Sequence, residues 1–123
     1  MSESIRHFET GPDPFNRNWT VTFRWLQNAI SIRHADTVDV KFALSCDGAV
    51  PEEKVIALPH AALLSLAAAS QRALTDPWCM RLAANHLKRM IETFEDMDKP
   101  LVTLTPVQLA EAAASIPAPA PAR

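Results

Sequence analysis

The chain has 123 residues, 48% of them apolar and 21% charged, with two glycines, ten prolines, no tyrosine and a formal net charge of −2. That is the composition of one globular domain, and its near-neutral balance excludes wholesale neutralisation of a phosphate backbone. Gly11 and Gly48 stand too far apart to furnish the glycine-rich phosphate loops of P-loop or dinucleotide-binding proteins.

Residues 1–17 are polar and broken by Pro12 and Pro14, with none of the apolar core and small-residue cleavage site of an export signal. They read as an extended N-terminal arm bearing Phe8 and Phe15. A cytoplasmic location is the expectation, and the abundant Ala and Pro suit a bacterial protein. Cys46 and Cys79 are then expected as reduced thiols rather than a disulfide.

From Trp19 the pattern alternates, with Trp19, Val21, Phe23 and Trp25 on one side and Thr20, Thr22 and Arg24 on the other. A helix is the rival reading, since Trp19, Phe23, Leu26 and Ile30 also recur at helical spacing. The β-branched run Thr20-Val21-Thr22 favours the strand. Gln27-Asn28 suits a tight turn, followed by a short strand over Ile30–Arg33. The clearest strand comes next, Val38, Val40, Phe42 and Leu44 alternating with Asp39, Lys41, Ala43 and Ser45. Asp47-Gly48 opens a turn, and Val55–Leu58 forms a fourth strand that ends at Pro59. Short connections make an antiparallel meander the economical topology.

Beyond Pro59 the period lengthens. Pro59 suits a helix start, and the Ala- and Leu-rich run to about Arg72 has high helicity. Thr75-Asp76-Pro77 is a second start signal, followed by a buried stripe of Cys79, Leu82, Ala83, His86, Leu87, Met90, Ile91 and Phe94. Pro100 stops that helix, and Leu101–Leu104 is a candidate edge strand. Thr105-Pro106-Val107-Gln108 has the residues of a capping box, opening a last helix that ends near Ile116. Residues 117–123 alternate Pro and Ala, the composition of a polyproline-like tail. The expected fold is therefore α+β. A four-stranded, mainly antiparallel sheet from the N-terminal half is packed on one face by two or three C-terminal helices, in a single domain over 18–116.

Chemistry is sparse in this pattern. Cys79 and His86 are the candidate reactive groups, but seven residues of helix separate them by about 10 Å, too far to share a metal. Each reads more naturally as a packed core residue, since no carboxylate lies one turn from His86 to orient it. Neither metal nor cofactor is expected. Glu92, Glu95, Asp96 and Asp98 lack the alternation and central glycine of a calcium loop. Arg81, Lys88 and Arg89 form a basic helix face after a short interhelical turn, which invites comparison with a helix-turn-helix; the net charge opposes it.

The aromatic residues point elsewhere. Phe8, Phe15, Trp19 and Trp25, with Arg81, Lys88 and Arg89, are the residues that would meet a protein partner, because aromatics and Arg dominate interface energetics. The reading favoured by the sequence is a non-catalytic accessory, adaptor or regulatory subunit that binds another protein or itself. A small-molecule domain or enzyme using a cleft between sheet and helices is the alternative, and a nucleic-acid-binding regulator the second. No stretch is apolar and long enough to cross a membrane.

Overall fold

The computed structural model of the chain describes residues 6–29, 36–46 and 48–116. Eight elements follow in the order β1 (His7–Thr10), β2 (Trp19–Ala29), β3 (Thr37–Cys46), β4 (Glu52–Pro59), α1 (His60–Ala69), α2 (Asp76–Thr93), β5 (Leu101–Thr103) and α3 (Pro106–Ala114). The architecture is α+β, as the change of period at Pro59 implies. The sheet, however, has five strands in the order β1-β2-β3-β4-β5, and it is mixed. β1 to β4 are antiparallel neighbours, whereas β5 lies parallel to β4. A parallel neighbour requires a crossover, and α1 and α2 supply it.

Two expectations are corrected at the N-terminal side. Part of the predicted arm is β1, which pairs His7–Thr10 with Trp19–Thr22 and carries Phe8 into the core. The turn expected at Gln27-Asn28 is absent, because β2 continues through Ala29 opposite Thr37. The short strand expected over 30–33 lies outside the described residues.

A one-residue bulge breaks the alternation of β2. Phe23 pairs with Phe42 and Trp25 with Lys41, so Arg24 is the extra residue. Before it, Trp19 and Val21 pair with Cys46 and Leu44 on the helix-covered face; after it, Leu26 pairs with Val40 on that same face. An inserted residue shifts the two-residue period by one. Trp25 therefore belongs to the opposite face, not with Trp19 as the sequence pattern suggested.

The helices cover the face made by Phe8, Trp19, Val21, Val40, Phe42, Leu44, Ile56 and Leu58, and one apolar cluster joins it to α2. The predicted stripe of α2 is buried from Cys79 to Ile91. Thr75 caps that helix by accepting from the Trp78 amide at 3.3 Å. The capping box of α3 is complete, Thr105 Oγ1 accepting from Gln108 N at 3.2 Å and Gln108 Oε1 accepting from Thr105 N at 2.9 Å. Lys54, also turned inward on β4, donates from Nζ to the carbonyl oxygens of Met97 (2.7 Å) and Lys99 (2.6 Å). It thereby ties the segment after α2 to the sheet, and burial lowers its pKa.

Candidate partner-binding surface

The connection between β1 and β2 begins with a glycine that geometry requires. Gly11 has φ of +137°, and a Cβ there would meet the Arg17 carbonyl oxygen at 2.9 Å. Two residues on, Asp13 is buried and organises the loop. Its Oδ1 accepts from the amides of Phe15 and Arg17, both at 2.9 Å, and its Oδ2 accepts from Arg17 Nε at 2.8 Å and Trp19 Nε1 at 3.0 Å. Backbone bonds from Asp13 N to Arg17 O and from Asn16 N to Asp13 O close it further. Burial pushes the Asp13 carboxyl up, but the bonds from Trp19, Arg17 and Phe15 outweigh it and hold the pKa at about 2. The loop is thus cross-linked through a carboxylate that stays ionised.

What this rigid loop presents is apolar. Phe15 is 63% exposed and stands edge-on to Phe94, 37% exposed, with ring centroids 5.1 Å apart at 84°. Phe94 caps the C-terminus of α2 in the left-handed region, φ 59°, which carries its side chain off the buried stripe that sequence spacing had assigned to it. The Arg17 guanidinium lies 5.1 Å from the Phe15 ring centre and 5.5 Å from those of Phe94 and Trp19. Asp13 compensates its charge. The chain that follows Phe94 carries Glu95, Asp96 and Asp98, with Lys99 paired to Asp96 at 3.1 Å, whereas Glu92 lines the cleft between α2 and α3. The β3–β4 turn, with Val50 exposed, lies at the same end of the sheet, because Cys46 pairs with Trp19 at the base of the loop.

The other residues expected to meet a partner are dispersed. Phe8 and Trp19 belong to the core. The Lys88 ammonium sits 4.9 Å above the Phe8 ring, and Arg89 pairs with Glu111 of α3 at 2.7 Å. Arg81 flanks a shallow cleft of about 350 Å³ with Arg72 and Trp78. The basic residues of α2 thus take on separate local roles. Trp25 joins Arg24, Lys41 and Glu53 on the sheet face opposite the helices. There Lys41 Nζ lies 5.4 Å from the indole centre and 3.0 Å from Glu53, with Arg24 Nε 3.8 Å from the same carboxylate.

Cys79 and His86 do not combine into a reactive pair. Burial, then the Asp76 charge, pushes the Cys79 thiol up to about 11, so at neutral pH it is a protonated core side chain. His86 is buried, and its Nε2 has no hydrogen-bond partner among the described residues. Burial and the Arg89 guanidinium lower its pKa, partly offset by Asp96, Glu95 and Glu111. It lines a polar cleft of about 460 Å³ between α2 and α3, with Asn85, Gln108 and Glu111. Among the described residues no group of three His, Cys, Asp or Glu converges as metal ligands, and no helix is long and apolar enough to cross a membrane.

Asp13, Arg17 and Phe94 are the residues of this platform and its support that sequence reading passed over. The run Gly11-Pro12-Asp13-Pro14-Phe15-Asn16 concentrates turn-forming residues, and an Asp bonding amides two and four residues on is what such a run permits. Nothing local marks Phe94 as a left-handed cap. Comparison of the chain with protein-family models, with curated proteins and with solved structures finds no match.

Proposed function

We propose that this protein is a non-catalytic accessory or adaptor protein that binds a larger protein through the Phe15–Arg17–Phe94 platform. The observation that carries the reading is the exposed Phe15–Phe94 pair, held in place by the buried Asp13 network rather than collapsed into the core. Pre-organised aromatic side chains with an Arg bind at low entropic cost, and such residues dominate interface energetics. The carboxylates that follow Phe94 in the chain, Glu95 and Asp98, favour a partner segment that combines basic and apolar side chains. A cytoplasmic location belongs to this reading, supported by two cysteines that form no disulfide.

Affinity purification of the tagged full chain from native cells tests it. Wild type and Arg81→Ala should retain the same stoichiometric protein, and the double variant Phe15→Ala, Phe94→Asn should lose it. Asn is chosen at 94 because it tolerates the left-handed backbone. A protein retained equally by all three, or retained by none, overturns the reading.

A second reading, ligand binding in the cleft between α2 and α3, is supported by the unpartnered Nε2 of His86. Thermal-shift screening with small polar metabolites tests it. It requires a stabilising compound whose effect His86→Leu removes.

A further inference from the structure

From Val55 to Gln71 the chain contains no Asp, Glu, Lys or Arg. This stretch includes all of α1, whose apolar residues are spread around the helix with no preferred side. A helix that is apolar all round belongs in an interior. Yet only Leu63 and Ala67 of α1 are buried against the core. On the far side Ala61, Ser65 and Ala68 are exposed, and Leu64 among them is 50% exposed. These four recur at the spacing of a single helix face. Beside them a groove of about 560 Å³, lined by Pro59, Ala61, Ala62, Ser65, Leu66 and Pro106, separates α1 from the start of α3. On α3, Val107 is 68% exposed.

We infer that this face is a self-association surface, covered in solution by the same face of a second copy related by a two-fold axis. Two properties select a second copy. The first is charge. A partner bringing a Lys, Arg, Asp or Glu against α1 would bury it with no counter-ion, which is strongly unfavourable. Among the described helices α1 alone lacks charge: α2 carries Arg81, Lys88, Arg89 and Glu92, and α3 carries Glu111. Within this chain, the helix face that matches α1 is therefore that of α1 in a second copy.

The second property is shape. The face carries both a projecting leucine and an apolar groove, so a two-fold axis can seat each Leu64 in the opposite groove, the self-complementary pattern of an isologous interface. Ala61, Ser65 and Ala68 are small enough to let two helices approach to about 8 Å. A ten-residue helix is only about 15 Å long. The interface therefore falls at the small end of specific contacts, and the dimer is expected at micromolar rather than nanomolar concentration.

Sedimentation velocity of the full chain across the micromolar to millimolar range tests the inference. Wild type should pass from monomer to dimer. Leu64→Lys and Ser65→Glu, both at exposed positions, should remain monomeric with unchanged circular dichroism, while Trp25→Lys on the open sheet face should dimerise like wild type. Wild type that stays monomeric to millimolar concentration overturns the inference. So does a dimer that survives both α1 substitutions, or one that Trp25→Lys abolishes. Flotation with phosphatidylcholine–phosphatidylglycerol vesicles, lost in Leu64→Lys and seen without dimer formation, would assign the face to a lipid surface and equally overturn it.

Discussion

Trp19 and Trp25, six residues apart on one strand, lie on opposite faces of the sheet. The Trp19 indole is in the core and bonded to Asp13, whereas Trp25 shares the opposite face with Lys41. Substitution should therefore separate them. Trp19→Ala is expected to cost about 3–5 kcal/mol through cavity formation. Trp25→Ala, on a face without helices, should cost about 1 kcal/mol. Urea denaturation of both variants checks the contrast, and equal costs would place both indoles in the core.

The Asp13 carboxyl has a folded-state pKa of about 2, below the unfolded value of about 3.9. A depressed carboxyl contributes stability that is present above the unfolded pKa and lost as pH falls through the folded one. Stability should therefore decline between about pH 4 and pH 2. Asp13→Asn should be less stable at pH 7 and show a shallower decline across that window. Denaturation midpoints measured from pH 2 to pH 7 read this directly.

His86 titrates with the opposite charge but the same sense. Its folded pKa is lowered by burial and by Arg89, so the unfolded chain, with a pKa of about 6.5, takes up the proton first. Its contribution is complete above that value and is lost as pH falls through about 6.5 toward the folded pKa. His86→Leu should remove this dependence. Because Nε2 has no partner among the described residues, replacing the ring with an apolar side chain should also stabilise the fold by about 1 kcal/mol at pH 5.5.

Cys79 should be chemically silent while the protein is folded. With its thiol pushed up to about 11 and its side chain buried, the thiolate fraction at pH 8 is about 0.1%. Iodoacetamide followed by peptide mass spectrometry should label Cys79 only under denaturing conditions. Labelling within minutes in native buffer would mean that the α2 stripe opens.

The helices were legible because their signals are local. Thr105 is a cap by residue type, Thr75-Asp76 offered either residue as the cap of α2 and Thr75 takes the place, Pro77 and Pro106 sit where a missing amide costs nothing, and the α2 stripe repeats without interruption from Cys79 to Ile91. The Val38–Leu44 alternation was legible for the same reason, being uninterrupted. β1 was not, because four residues with a single inward side chain, Phe8, carry too little periodicity to stand apart from a polar arm. Phe94 looked like a core residue because helical spacing cannot register a backbone that has turned left-handed.

The surface depended on contacts distant in sequence. Phe15 meets Phe94 across 79 positions, and the face assigned to Trp25 was set by one extra residue at Arg24, to which alternation counted along a single strand is blind. Propensity and capping act within a few residues and so can be read from composition and spacing. Strand order, the parallel placement of β5 and the aromatic platform arise when the sheet closes over α2, where packing between distant segments outweighs any local preference.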